Sequence, residues 1–276
     1  SDLALEAGKA ALADAGLAPE DLDLVIVATV TPDMFFPSVS SLVQGALGAT
    51  RAGAFDILIG CTGFVYALST ASAFVQAGMA EHVLVIAAET LSRIVNWEDR
   101  STCVLFGDGA GAAVIGRAAP GEGIQGFELW SDGNSSQYLT VPAGGSRRPT
   151  DEAVLQERAQ LLHMDGHEVF KLAVRGCPDV AEAVMRKVGV THDDIDWAIF
   201  HQANRRIIEA AAKRLDIPDA RVVCDVEKYA NTSAATIPLA MDELYKEGKL
   251  KTGQMILLAG FGAGFSLAAG LLQWTK

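Results

Sequence analysis

Cysteine, aromatic residues and positive charge are all scarce in this chain. Four cysteines in 276 residues, at 61, 103, 177 and 224, form no C-x-x-C pair and fall far below the density of a disulfide scaffold. Reduced thiols in a cytoplasmic protein are therefore expected. Aromatics make up 7% of the residues, and 22 Lys plus Arg face 34 Asp plus Glu, a net charge of −12. That balance argues against a nucleic-acid binder, which needs a broad excess of cations to neutralise phosphates. Half the residues are hydrophobic and 20% are charged, which excludes a disordered chain. No basic-then-apolar leader follows Ser1, so no signal peptide is expected. No His, Cys and carboxylate cluster has metal-ligand spacing, and no metal is expected. One uncharged run, Met255 to Trp274, approaches the length of a membrane span. Gly260, Gly262, Gly264 and Gly270 divide it, so two buried strands joined by a hairpin are the better reading.

What the chain does have is a repeat at long period. Gly16-Leu-Ala-Pro-Glu-Asp-Leu-Asp23 leads into an apolar strand over 24–30, and Gly189-Val-Thr-His-Asp-Asp-Ile-Asp196 leads into another over 197–200. Each block follows an amphipathic helix, over 4–15 and 180–188. The succession then continues in parallel: strands over 55–60 and 221–226, helices over 64–78 and 234–248, strands over 83–87 and 255–259. Phe106-Gly-Asp-Gly-Ala-Gly111 and Phe261-Gly-Ala-Gly264 then each open an apolar strand. Alternating helices and near-continuous apolar strands predict an α/β fold with parallel sheets covered by helices. The doubled order predicts two βαβα halves, 1–150 and 151–276.

Three polar positions stand out against this frame. Cys61 falls in a tight turn between a strand and a helix. Free N–H groups and the positive end of the helix dipole there favour the thiolate; a buried structural cysteine is the alternative. His201 follows the strand over 197–200 and points to the crevice at a sheet's carboxyl edge, although a lone histidine at a strand end is more often structural. Asn231 precedes a helix and suits an N-cap, yet the repeat puts it where Cys61 stands in the first half. Related halves would let Cys61, His201 and Asn231 converge. Gly107-Asp-Gly-Ala-Gly-Ala112 fits G-x-G-x-x-A, but no helix follows to hold a pyrophosphate.

At this point the chain resembles the β-ketoacyl-acyl-carrier-protein synthase III family, of the thiolase-fold superfamily. The resemblance runs from about Asp2 to Trp274. It is carried by Cys61-Thr-Gly-Phe-Val-Tyr-Ala-Leu68, Phe106-Gly-Asp-Gly-Ala-Gly-Ala-Ala113, His201-Gln-Ala-Asn-Arg-Arg-Ile207, Asn231-Thr-Ser-Ala-Ala235 and Gly260-Phe-Gly-Ala-Gly-Phe265. It implies a duplicated thiolase-like fold, layered αβαβα, with pseudo-twofold-related halves. It also implies a decarboxylating condensation of an acyl-CoA primer with malonyl-acyl-carrier protein, by a homodimer, with no cofactor beyond the acyl-CoA substrate.

The resemblance assigns roles by position. Cys61 matches the nucleophile that accepts the primer, and His201 and Asn231 match the pair that assists decarboxylation. The backbone of Cys61 and Ala263 would hold the thioester oxyanion. Gln202, Ala203, Asn204, Arg205 and Arg206 match the carrier-protein-binding segment, and Lys213 and Arg214 extend its basic helix. Arg100 and Asn204 match CoA-binding positions, and Phe36 matches a residue near the primer pocket of the dimer mate. The chain departs from the family in having Ile59-Gly60 before the cysteine, and in lacking the family's first strand and tunnel-covering loop ahead of Ser1. A polyketide-type starter synthase is the alternative within this fold. Papain-like hydrolases share the order Cys, His, Asn, but they lack duplicated halves. A carrier-binding relative without activity would not need all three residues.

Overall fold

The computed structural model describes residues 1–276. The chain begins with α1 (Asp2–Ala15), β1 (Leu24–Ala28), α2 (Val39–Leu47), β2 (Gly53–Ile57), α3 (Gly63–Gln76), β3 (Val83–Thr90), β4 (Asp108–Ile115) and β5 (Gly123–Ser131). It continues through β6 (Leu139–Thr140), α4 (Glu152–Glu157), β7 (His163–Met164), α5 (Gly166–Val188) and β8 (Trp197–Phe200). Last come α6 (Arg205–Arg214), α7 (Val226–Tyr229), α8 (Thr236–Lys246), β9 (Met255–Gly262) and β10 (Ser266–Gln273).

The apolar strands are near-continuous because both of their faces are covered. In β1 and β3, Leu24, Ile26, Ala28, Val83, Val85 and Ala87 join one core with α3 and α8. Their alternates Val25, Val27, Leu84, Ile86 and Ala88 join another with α1 and α2. In β9, Ile256 and Leu258 face α3 and α8, while Leu257, Ala259 and Phe261 face α5 and α6. The period-2 alternation of a strand thus stacks five layers: α1 and α2, a sheet, α3 and α8, a second sheet, α5 and α6. No helix is long and apolar enough to cross a membrane; the uncharged run from Met255 forms the hairpin β9–β10.

The sheets are mixed, which corrects the expectation of parallel sheets. Their orders are β2-β1-β3-β4 and β5-β10-β9-β8, with β6 and β7 forming a small third sheet. β1 runs parallel to β2 and β3, and β8 runs parallel to β9. β4 on β3 and β10 on β9 are antiparallel. The link from β9 to β10 is only residues 263–265, too short for the crossover that a parallel neighbour requires. β5, although it precedes residue 150, pairs with β10 at the edge of the second sheet.

The expected strand over 221–226 is not a strand. Val222 makes a single bridge to Ala198, with Val223 N–H donating to Ala198 O at 3.1 Å. Beyond that point the Gln202 side chain replaces a ladder, donating to Val223 O at 3.2 Å and accepting from Asp225 N–H at 2.9 Å. The glycine run of β4 serves close packing. A Cβ on Gly111 would lie 2.7 Å from Pro238 Cβ, and one on Gly107 would lie 3.0 Å from Tyr229 O. Small residues there let the strand meet the start of α8 directly.

Candidate active site

Both central helices enter through a single 3₁₀ turn: Gly60–Thr62 leads into α3, and Ser233–Ala235 leads into α8. The repeat's match of Asn231 with Cys61 is offset by three residues: Cys61 is the middle residue of the first turn, the middle residue of the second is Ala234, and Asn231 lies ahead of that turn. Gly60 adopts φ +72°, the left-handed region that glycine enters without strain. The tip of the β9–β10 hairpin closes over this turn. A Cβ on Gly262 would stand 2.8 Å from Cys61 N, and a Cβ on Gly60 would stand 3.5 Å from Ala263 N. The backbone of Ala263 therefore lies beside the Cys61 turn.

Cys61 is 6% exposed, and burial pushes its thiol up to about 12. This corrects the expectation of a ready thiolate. The turn's dipole and N–H groups are present, but withdrawing the sulfur from water costs the anion more than they return.

His201 continues β8 by donating its backbone N–H to Ala259 O at 2.8 Å. Its ring meets Phe261 edge-on, with centroids 5.2 Å apart. Nδ1 lies 2.7 Å from Thr236 Oγ1, which is itself 3.0 Å from Ser233 O. Burial lowers the imidazole from 6.5 to about 3, so the ring is neutral at physiological pH. The unfolded chain takes up this proton near 6.5 and the folded chain does so only near 3, so stability should fall as pH drops through that window. Ring-nitrogen NMR should accordingly show no His201 titration between about pH 5 and 8; a midpoint inside that range would contradict the buried neutral ring.

Asn231 is clamped by its backbone, donating to Leu105 O at 2.9 Å and accepting from Gly107 N–H at 3.0 Å. The Phe106-Gly-Asp-Gly motif thus holds the asparagine in place. The Asn231 Oδ1 accepts from Ser233 N–H at 2.9 Å, which leaves the carboxamide NH₂ as a donor. Ser233 joins the constellation: its N–H meets Asn231, its carbonyl meets Thr236 beneath His201, and its hydroxyl donates to Glu89 Oε1 at 3.0 Å.

Sequence reasoning missed Ser233, Thr236 and Glu89. Glu89 is 1% exposed at the end of β3, and its one visible signal was a carboxylate closing the otherwise apolar run Val83–Ala88.

The basic helix α6 is only partly free. Gln202 is 1% exposed, its amide engaged with Phe200 O, Val223 O and Asp225 N. It cannot touch a protein partner, which corrects its place in the docking segment. Ala203 and Asn204 are half-buried, and Asn204 Oδ1 caps α6 through Arg206 N–H at 2.9 Å. Arg205 pairs with Glu227 and Glu209, and Arg214 pairs with Asp179 and Glu182. Arg206 and Lys213 are exposed and form no ion pair. Arg100 is exposed. Phe36 is 85% exposed beside Phe35 at 84%.

A thiol set among neutral donors suits chemistry in which an acyl group rests on sulfur while a nearby carbonyl takes up negative charge. That places the chain among the acyl-transferring condensing enzymes. A family profile described as 3-oxoacyl-[acyl-carrier-protein (ACP)] synthase III matches residues 55–133, and the C-terminal profile of the same description matches 185–274. The β-ketoacyl-[acyl-carrier-protein] synthase III of Caldanaerobacter subterraneus subsp. tengcongensis is 53% identical over 276 residues, covering all of this chain and 83% of that protein. The crystal structure of 3-oxoacyl-[acyl-carrier-protein] synthase III from Aquifex aeolicus VF5 superposes with a TM-score of 0.90 at 45% identity, over 98% of this chain and 83% of that one. The priming β-ketosynthase of the R1128 polyketide biosynthetic pathway gives 0.91 at 36% identity, over 99% and 81%.

The chain belongs to the β-ketoacyl-[acyl-carrier-protein] synthase III family. It is an acyltransferase, and its reaction is the condensation that initiates fatty-acid synthesis.

Proposed function

We propose that Cys61 accepts the acyl group of a short acyl-CoA primer, and that His201 and Asn231 then assist loss of CO₂ from malonyl-acyl-carrier protein. The observation that supports this best is that β9 packs on both Cys61 and His201 through Gly262 and Gly260, while Ser233 N–H donates to Asn231 and Ser233 O accepts from Thr236 beside His201. Decarboxylation leaves an enolate, and two neutral donors near its oxygen stabilise the developing charge. Asn231 supplies its NH₂. His201 supplies Nε2–H in the tautomer in which the single Thr236 hydroxyl hydrogen turns from Ser233 O to donate to Nδ1. The enolate carbon attacks the Cys61 thioester, whose oxyanion the Cys61 and Ala263 N–H groups receive.

The architecture is read as the duplicated thiolase-like fold, with pseudo-twofold-related halves divided near residue 150. A strand laid antiparallel on the free edge of β4 would stand to it as β5 stands to β10. Phe36, with Met34 and Phe35 exposed beside it, is read as reaching the primer pocket of a second copy, because apolar patches of this kind mark contact surfaces. Arg100 and the Asn204 amide are read as CoA contacts, and α6 as the carrier-protein surface.

Incubation with acetyl-CoA and malonyl-carrier protein should yield 3-oxoacyl-carrier protein and CO₂, and sedimentation should give a dimer. Product formed equally by Cys61→Ala would sink the assignment of the nucleophile; a monomer at working concentration would sink that of Phe36.

A further inference from the structure

We propose that Glu89 is a positioning residue for decarboxylation: by holding the Ser233 hydroxyl it fixes the turn that aims the Asn231 carboxamide. The inference rests on the reading of His201 and Asn231 as the decarboxylating pair, and gives a role to the buried carboxylate which that reading leaves unused.

Asn231 sits in backbone that does not hold its shape unaided. Ala230 adopts φ +58° and Ser233 adopts φ +51°, left-handed values that are costly for residues other than glycine. Such conformations persist only where the surroundings impose them. On the entry side, Asn231 N–H donates to Leu105 O at 2.9 Å and Gly107 N–H donates to Asn231 O at 3.0 Å. On the exit side, the tie to the first sheet is the Ser233 hydroxyl, which donates to Glu89 Oε1 at 3.0 Å. Thr232 is buried with its hydroxyl unpartnered. Of residues 230–233, only Ser233 reaches beyond the turn with its side chain.

Glu89 is anchored on its far side. Its other oxygen, Oε2, accepts from Thr31 Oγ1 at 2.7 Å, Val30 N–H at 3.1 Å and Thr29 Oγ1 at 3.3 Å, all on the segment leaving β1. One oxygen is thus fixed and the other is aimed across at the turn. The register partner of Glu89 on β4 is Gly109, where a Cβ would come within 3.2 Å of Thr232 Cγ2. The bare strand lets the turn sit close enough for the carboxylate to reach it.

What this tie controls is the aim of two side chains. Ser233 N–H donates to Asn231 Oδ1 at 2.9 Å. A backbone N–H can only donate, so the carboxamide oxygen faces Ser233 and the NH₂ faces away from it. Displacing Ser233 would swing that amide. Ser233 O also lies 3.0 Å from Thr236 Oγ1, the hydroxyl that meets His201 Nδ1 at 2.7 Å, so the same displacement would reach the support of the histidine. The carboxylate's own hydrogen bonds go to Thr29, Val30, Thr31 and Ser233. None goes to Cys61, His201 or Asn231, and Glu89 acts through Ser233.

Full-length wild type, Glu89→Ala, Glu89→Gln, Ser233→Ala, His201→Ala and Asn231→Ala would be assayed separately for malonyl-carrier-protein decarboxylation and for Cys61 acetylation by acetyl-CoA. Glu89→Ala and Ser233→Ala should each lower the kcat of decarboxylation about 10–100-fold, the effect of misplacing a reacting group. KM should stay within about threefold, because the turn is not part of α6, and Cys61 acetylation should slow by less than about threefold. Glu89→Gln should decarboxylate within about fivefold of wild type, because its amide oxygen can keep the donors beyond β1 while its NH₂ donates to Ser233 Oγ. Combining Glu89→Ala with Ser233→Ala should cost no more than either alone, since both cut one tie. Wild-type decarboxylation by Ser233→Ala, additive losses in the double variant, a change confined to KM, equal loss of both half-reactions, or Glu89→Gln as slow as Glu89→Ala would overturn the positioning role. If Glu89→Ala fails to fold by circular dichroism, Ser233→Ala and Glu89→Gln decide by the same criteria. Wild-type decarboxylation by both His201→Ala and Asn231→Ala would instead overturn the pair itself, and this inference with it.

Discussion

His201→Ala should reduce malonyl-carrier-protein decarboxylation by about 10²–10³-fold while Cys61 still accepts an acyl group from acyl-CoA. The size follows from removing one preorganised donor from a developing oxyanion. The selectivity follows from where the ring sits and how it is charged. Its Nδ1 is tied to Thr236, and burial holds the ring neutral. It therefore donates a hydrogen bond well but draws a proton from a thiol poorly. Separate assays of acyl transfer and CO₂ release would measure the split. Equal loss of both would make His201 the thiol's base, as in papain-like enzymes.

The second large effect concerns docking. A carrier protein that is strongly acidic must find a local basic patch on a chain whose net charge is −12. On α6, Arg205 and Arg214 are already neutralised by acids of their own chain. Arg206 and Lys213 are exposed and stand seven apart, which on a helix is one face. Arg206→Glu with Lys213→Glu should weaken carrier-protein binding by about 10–100-fold at low ionic strength, and much less at high salt, where exposed charges are screened. Acylation by acyl-CoA needs no carrier protein and should stay within about twofold. Unchanged affinity at low salt would place the docking surface elsewhere.

The layers and the site were legible in different ways. Alternating helices and doubly apolar strands such as Leu24–Ala28 announced sheets covered on both faces. The repeat announced that the two central helices would start alike, but it set Asn231 opposite Cys61 where the structure sets Ala234. Strand direction was legible only in part: the glycine-divided run 255–274 announced an antiparallel hairpin, whereas nothing in the apolar sequence of β4 showed that it runs antiparallel to β3. The segment 221–226 looked like a strand from Val222 and Val223, but Gln202, some twenty residues away, takes its hydrogen bonds. The same long-range bonding hid Gln202 itself, whose motif position suggested a surface role. Glu89 was invisible because its meaning depends on Thr31 and Ser233, which the fold brings to it from distant positions. The thiol's basicity was misjudged because dipole and N–H effects are local and readable, whereas burial belongs to the whole fold.

Peptide mapping by mass spectrometry after brief exposure to acetyl-CoA and other short acyl-CoAs tests the account most directly. The acyl group should appear on Cys61 alone, leaving Cys103, Cys177 and Cys224 unmodified, and malonyl-carrier protein should then discharge it as 3-oxoacyl-carrier protein. Acyl groups on any of the other three, with Cys61 unmodified, would contradict the assignment of this pocket as the place where the carbon–carbon bond is made.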